Sequence, residues 1–456
     1  MDNKVNNQEG RGSWGSSFGF IMAAAGSAVG LGNLWKFPYL AGKNGGAVFV
    51  VAYLLIVVLV GFTMMLGEMI IGRKTQLDPY GAYKKLNKNW GFLGSIGILT
   101  AFLILSYYSV VGGWVIKYIV ATVTGKIGSD KAAYFTGFIG GSVEPLIYHG
   151  IFMVLTVAIV IKGISDGIEK ASKFMMPALL VMLIVVAIRS VTLNGASAGL
   201  SYYLKPDFSK FRPSVLVDVL GQVFFSLSLG MGALITYGSY LKGDENLEKN
   251  ALIIPSLDTA VALLAGFAVL PAVFAFGFEP SQGPGLMFIT LPAVFEVMPF
   301  GTIFGIIFFV LVFFAALTSA ISLLEVAVAY CIDSLKWTRI KAVSIASTLM
   351  FIIGIFASLS MGPMADFHVP LFNRGVFDSL DFFTSNILMP IGGFLMAIFI
   401  GYIWGVDEAI AEVKRSPGVK FKLERFWTIL IKYVVPFAIF IVLLSSLGLL
   451  DKILGK

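Results

Sequence analysis

The sequence predicts an all-α integral membrane protein with eleven spans. These form two five-span repeats of opposite orientation, with the first and sixth spans broken, and one added helix. Three observations lead there. The 456 residues are 57% hydrophobic and only 13% charged, about half the charged share of a soluble domain. Apolar segments long enough to cross a bilayer occur at residues 15–41, 46–73, 91–125, 147–163, 172–190, 213–241, 251–279, 300–335, 340–359, 377–404 and 425–450. The first and sixth of these carry glycine clusters near their middles, and interrupted segments at matching places in two halves mark inverted repeats.

In chain order, residues 1–14 are polar and lack a signal-peptide pattern, so they read as a cytoplasmic tail. The first span contains Gly26, Gly30, Gly32 and Asn33 where a crossing helix normally keeps every backbone bond closed. Open backbone at that depth is tolerated only where it lines a cavity or is buried in protein. A helix broken there offers carbonyls to a cation and N–H groups to an anion. The sixth span repeats the feature at residues 221–232, Gly-Gln-Val-Phe-Phe-Ser-Leu-Ser-Leu-Gly-Met-Gly. Either glycine cluster alone fits close helix packing through small residues; two in register, each beside polar residues, favour breaks. Spans 1–5 (residues 15–190) then form one repeat, spans 6–10 (residues 213–404) the second, and residues 425–450 the addition. No soluble linker divides residues 15–450, which read as a single domain. Residues 280–299 are apolar with prolines at both ends and read as a lid folded back on the protein, whereas the more polar residues 191–212 read as a connection.

With the N-terminus inside, about 20 of the 33 Lys and Arg fall on the cytoplasmic side. One cluster is Arg73, Lys74, Lys84, Lys85 and Lys88; another is Lys414, Arg415, Lys420, Lys422 and Arg425. An odd number of spans puts residues 451–456 outside, and the expected location is the plasma (inner) membrane. The net charge of +7 is explained by this topology without nucleic acid. Forty Phe and two His argue for packing against lipid. The single Cys331 excludes an intrachain disulfide and a multi-cysteine metal site.

An ionisable group at the bilayer centre costs at least about 2.5–3.5 kcal/mol, so each one needs a reason. Glu68, deep in the second span, reads as a structural carboxylate bracing the broken first span, with direct solute contact as the alternative. Asp258, early in the seventh span, calls for a cation. Asn33, Ser226, Thr318 and Ser319 are neutral oxygen donors; single hydroxyls usually bond their own helix. Residues 315–320, Ala-Ala-Leu-Thr-Ser-Ala, differ in presenting two adjacent hydroxyls on a small-residue face. Oxygen donors suit a hard cation, and one carboxylate favours a monovalent ion. Asp218 reads as an outer vestibule residue, and His149 and His368 as solvated or capping groups near span ends. Glu325 has no assigned role beyond helix bracing. There is no His-rich or paired-carboxylate catalytic set, so an enzyme is not expected.

The chain resembles the neurotransmitter:sodium symporter family, in particular its bacterial amino-acid transporters with eleven spans. The resemblance rests on residues 26–38 (Gly-Ser-Ala-Val-Gly-Leu-Gly-Asn-Leu-Trp-Lys-Phe-Pro), Glu68, Tyr107-Tyr108 with Gly113-Trp114, and Gly221-Gln222 through Gly232. It rests also on Asp258, residues 288–292 (Phe-Ile-Thr-Leu-Pro), residues 317–319 (Leu-Thr-Ser) and Asp381-Phe382. It covers nearly the whole chain. The rule linking broken helices to inverted repeats was itself drawn in part from this family, so that architecture comes with the resemblance.

The resemblance implies two sodium sites. The first would use the Ala28 carbonyl, Asn33, Ser226, Asp258 and the substrate carboxylate. The second would use carbonyls of Gly26, Val29 and Ala315 with the hydroxyls of Thr318 and Ser319. The carboxylate of an amino acid would meet the N–H groups of Leu31 and Gly32 beside Tyr108, and its ammonium the carbonyls of Ala28, Phe225 and Ser226. Its side chain would lie among Ile104, Tyr108, Phe225, Ser228, Met231, Ser319 and Leu323. Tyr108 and Phe225 would form a lid under an outer pair, Lys36 and Asp381; Arg11 and Asp333 would close the inner side near Trp14 and Tyr240.

Three departures carry further expectations. Asp258 stands where animal relatives have an amide and need chloride, so chloride independence is expected. Met231 stands where some relatives have Phe, which with an adaptable side chain implies large hydrophobic or aromatic amino acids. Gly167 and Pro177 have the spacing at which similar bacterial transporters unwind the fifth span. The expected partners are a small amino acid and lipid, as monomer or homodimer. A transporter-like sensor or a channel is the alternative, although polar groups concentrated at one depth disfavour a continuous pore.

Overall fold

The structure is a computed structural model that describes residues 12–278, 285–415 and 418–449. Among these residues the chain is helical throughout, and its sole β feature is an isolated bridge between Val369 and Arg374. Eight helices are long and apolar enough to cross a membrane: Ala47–Thr75, Lys88–Thr124, Ile164–Val191, Leu247–Ala275, Gly301–Asp333, Arg339–Leu359, Val376–Trp404 and Glu424–Ser446. Two bent pairs raise the number to ten if each is one span: Ser17–Ala28 with Gly32–Lys43, bent by 52°, and Lys131–Ile139 with Glu144–Val160, bent by 75°. Reaching the eleven expected from sequence requires Pro213–Ser226 and Ala233–Gly238 to make one further crossing. Outward-facing Val154, Phe174, Val181, Ile303 and Phe437 stay exposed, as helices facing hydrocarbon rather than water allow.

The first span breaks where the sequence loses its β-carbons. Ser16 caps Ser17–Ala28 by accepting from Gly19 N, and Val29 ends that helix in extended geometry (φ −72°, ψ 106°). The chain resumes as a π-helical turn, Gly32–Lys36, which runs into Phe37–Lys43. The sixth span breaks over a longer stretch. Ser228, Gly230 and Gly232 take left-handed geometry, with φ of 53°, 77° and 73°, which glycine reaches without the steric cost a Cβ imposes. The half-helices of the first span are mostly buried, with Ser17, Phe18 and Lys43 exposed, and the inner half of the sixth is wholly buried. The long helix Gly301–Asp333 packs against Ser17–Ala28 and Ala233–Gly238, and Lys88–Thr124 lies along its side.

The apolar segment expected at 280–299 folds back in its described part, residues 280–284 lying outside the described residues. Residues Leu286–Val297 are helical and bury Leu286, Met287, Phe288, Leu291 and Phe295. Phe288 stacks on Phe135 at 5.1 Å and meets Trp114 edge-on at 5.9 Å. The connection 191–212 is more than a link: it contains Ala196–Leu204, whose Tyr203 hydroxyl donates to the Leu263 carbonyl at 3.1 Å. The fifth span is fully wound. It opens with a π-helical turn, Ile164–Glu169, and continues through Pro177 to Val191, so the unwinding implied by the Gly167–Pro177 spacing is not seen here.

Candidate functional site

The two breaks face one another across a single small cavity. Ser27, Ala28, Gly30, Leu31 and Gly32 come from the first, and Phe225, Ser226, Ser228 and Met231 from the sixth. Ile104 and Tyr108 come from the third span, Ser319 and Leu323 from the eighth. All eleven residues expected to contact substrate therefore line one cavity of about 20 Å³, roughly the space of one water. Its roof is Tyr108 and Phe225. Above them lies an outer cavity of about 220 Å³, walled by Trp35, Lys36, Tyr39, Tyr107, Asp378 and Asp381.

Glycine is required in the first break by what surrounds it. A β-carbon at Gly30 would sit 2.6 Å from Ser319 Oγ and 3.0 Å from the Tyr108 hydroxyl, and one at Gly32 would sit 2.8 Å from the Phe225 ring. The backbone groups freed by the break find neutral hydroxyls. Leu31 N donates to Tyr108 OH at 3.2 Å. Ser319 Oγ lies 3.4, 3.2 and 3.3 Å from the carbonyl oxygens of Gly26, Ser27 and Val29. Thr318 Oγ1 donates to the carbonyls of Phe314 and Ala315 at 2.9 and 3.1 Å. This is an all-oxygen set with no carboxylate, which fits a hard monovalent cation rather than a transition metal.

Around Asp258 the arrangement is charged. Its carboxylate accepts from Asn33 Nδ2 at 2.7 Å, from Ser226 Oγ at 2.9 Å and from Tyr53 OH at 3.2 Å. Asn33 Oδ1 in turn accepts from Gly30 N at 3.0 Å. Asn33 and Ser226, from two other spans, thus both meet Asp258, and all three are buried. A buried carboxylate holding only neutral donors keeps an uncompensated charge, which a cation beside it would offset.

Several sequence expectations need correction. Glu68 does not brace the first break; its Oε1 accepts from Gly230 N at 2.7 Å, in the sixth. The left-handed residues there free N–H groups at the level of Glu68, whereas the first break is served by Tyr108 and Asn33. Lys36 and Asp381 share the outer cavity but form no ion pair. Asp381 is taken by Tyr107 OH at 3.1 Å and Ser385 Oγ at 3.2 Å, and the Lys36 ammonium lies 4.8 Å over the Phe225 ring. His149 is neither solvated nor a cap: it is buried, bonded to Ser109 Oγ at 2.9 Å and stacked on Phe351. His368 is exposed. Asp218 meets Asn44 and Lys43.

On the inner side, Arg11 lies outside the described residues. Asp333 accepts from Asp78 N at 2.8 Å. Trp14 Nε1 donates to the Tyr237 carbonyl at 2.9 Å, and its ring lies edge-on to Tyr237 and Tyr240. Glu325 gains a role here: Arg339 grips both its oxygens, at 3.2 and 2.5 Å, and Tyr240 OH donates to it at 2.7 Å. Sequence reading singled out Gly30 for the break but did not place it or Ser27 in the cavity wall, and it missed Tyr53 and Ser322. Ser27 Oγ donates to Ser322 Oγ at 2.7 Å, and the Ser27 carbonyl accepts from Ser228 Oγ at 2.8 Å, so Ser27 joins both breaks to the eighth span. The one signal available for Ser322 was its position one turn beyond Thr318 and Ser319.

Comparison with known proteins agrees with this geometry. The model of the sodium:neurotransmitter symporter family matches residues 11–134 and 141–453. A sodium-dependent transporter of Bacillus subtilis, YhdH, is 43% identical over 96% of this chain and 98% of its own length. A sodium-dependent transporter of Haemophilus influenzae is 39% identical over 97% and 99%. The sodium-dependent serotonin transporter of Drosophila melanogaster is 26% identical over 98% and 78%. The crystal structure of MhsT in complex with L-phenylalanine superposes with a TM-score of 0.88 at 43% identity, covering 96% of this chain and all of that one.

Proposed function

This chain belongs to the sodium:neurotransmitter symporter family, and we propose that within it the protein imports hydrophobic L-amino acids, aromatic or branched, by sodium-coupled alternating access without chloride. The observation that carries the reading is the convergence of both broken spans on one cavity roofed by Tyr108 and Phe225. The L-phenylalanine held by MhsT supports the substrate class. The cavity is small, so a large side chain enters by moving Phe225 outward and repacking Met231, which is unbranched and adaptable. Eleven spans, a cytoplasmic N-terminus and a plasma-membrane location complete the proposal.

Sodium acts as co-substrate at two places. Asn33, Ser226, Asp258 and the Ala28 carbonyl form the first, beside the carboxylate of the amino acid; Ser319, Thr318 and the carbonyls of Gly26, Val29 and Ala315 form the second. Because the substrate carboxylate completes the first site, sodium and amino acid each raise the other's affinity by the same factor. The buried Asp258 carries the negative charge that chloride would otherwise supply. A tenfold sodium gradient contributes about 1.4 kcal/mol per ion, and a potential of about 100 mV adds roughly 2.3 kcal/mol. Two ions therefore provide about 7 kcal/mol, enough for roughly 10⁵-fold accumulation of a zwitterion.

The test is uptake of labelled Phe, Trp, Leu and Ala into proteoliposomes under an inward sodium gradient, in chloride-free buffer. Concentrative uptake that stops when potassium replaces sodium is expected, with Phe, Trp or Leu ahead of Ala. Uptake of Ala alone would refute the pocket reading, and a chloride requirement would refute the role of Asp258. Sodium-dependent binding without flux would favour a sensor.

A further inference from the structure

The stretch entering the first span lies against the inner end of the fifth, and one carboxylate joins them. Glu169 closes the π-helical turn Ile164–Glu169, a geometry that recurs at functional positions in helices. Its Oε2 accepts from Gly15 N at 2.7 Å, and its Oε1 accepts from Ser16 Oγ at 2.9 Å. Ser16 is the residue that caps the first half-helix. Three glycines make the approach possible. A β-carbon at Gly12 would crowd Ile164 at 3.2 Å, one at Gly15 would lie 3.3 Å from Glu169 Oε2, and one at Gly19 would overlap the Glu169 side chain. Lys173, one turn on, holds the same carboxylate at 2.5 Å. Glu169 is itself buried although its lysine is partly exposed, so the charge sits under the entering chain rather than in water.

We propose that Glu169 is a positioning residue for transport, a latch holding the inner half-helix of the first span to the fifth, so that inward opening requires the two to separate together. The inference deepens the alternating-access reading and rests on it. The half-helix carries the carbonyls of Gly26, Ser27 and Val29 at its far end. Swinging its near end away from Glu169 would pull those oxygens off Ser319. Release of the latch and loss of the sodium ligands are then one motion. Charge-assisted hydrogen bonds are the stronger kind, and Glu169 makes two of them to the segment that must move.

The experiment is hydrogen exchange of the full-length protein in lipid nanodiscs, in sodium and in potassium, paired with sodium titration of uptake. In the unaltered protein, sodium is expected to slow exchange in residues 15–20 and 164–170 together. Glu169→Gln is expected to speed both segments by roughly tenfold, the change anticipated from weakening such bonds. It should also raise the half-saturating external sodium several-fold while retaining maximal uptake. Gly19→Ala, which breaks the same contact with Glu169 intact, is expected to do likewise and guards against a folding defect in the first variant. Residues 15–20 left unchanged in both variants, or maximal uptake lowered with sodium half-saturation unmoved, would overturn the latch. Sodium without effect on the unaltered protein would overturn the sodium-coupled reading and the latch with it.

Discussion

The two broken spans solve the same problem in different ways. In the first, the helix is open for three residues between Ala28 and Gly32, and its freed groups meet neutral side chains: Tyr108, Ser319 and Asn33. In the sixth, the opening runs from Leu227 to Gly232, with left-handed residues along it, and is tied down by the buried carboxylate of Glu68. Hydroxyls bond carbonyls weakly enough to yield them to an ion, whereas a carboxylate on an amide is a strong contact that is costly to lose. On the proposed reading, the first break serves as the ligand site and the second as a fixed wall. One device, placed twice by an inverted repeat, is in this proposal divided into a mobile part and a rigid part.

Removing the wall should have the largest effect. Glu68→Ala leaves Gly230 N buried without its partner, a loss of about 2–3 kcal/mol. The thermal midpoint of the purified protein should fall by several degrees, in sodium and potassium alike, and uptake should be lost. A midpoint that sodium restores would mean the sixth break is also an ion site, and the division would not hold. Next is Ser319→Ala, which removes the hydroxyl facing three carbonyls. Its half-saturating sodium should rise roughly tenfold, equivalent to about 1.4 kcal/mol, with the midpoint in potassium unchanged. A fall in potassium would show that Ser319 braces the break rather than serving an ion. The smallest effect is Met231→Phe. It narrows the pocket from the rigid side, and competition assays should show Phe and Trp losing several-fold to Ala, within the range of a few methylene groups. Unchanged preference would place the specificity wall elsewhere.

The mobile half of this comparison was legible in the sequence, and the rigid half less so. Gly26, Gly30, Gly32 and Asn33 announce a break by composition, and the hydroxyls of Thr318 and Ser319 stand out on a small-residue face. Together with the family resemblance they located every residue of the cavity wall except Ser27 and Gly30. Glu68 was recognisable as a buried carboxylate, but its partner was not, because which break lies level with the second span depends on helix tilt and packing. His149 looked terminal because its apolar run begins at residue 147, yet the helix starts at Glu144 and carries the ring into the interior. Lys36 and Asp381 face one cavity as expected, but Tyr107 competes for the carboxylate and Phe225 for the ammonium, a contest decided by angstrom-scale geometry. Glu325 had no assignable role until Arg339 and Tyr240, 14 and 85 residues away, came to meet it.

The most direct measurement is equilibrium binding of labelled L-phenylalanine to the purified protein across a sodium titration, with potassium holding ionic strength and chloride replaced by gluconate. Affinity is expected to rise steeply with sodium, approaching the square of its concentration below saturation, and to be indifferent to chloride. Binding of equal strength in sodium and in potassium would contradict an ion site in the first break, and with it the division between the two broken spans.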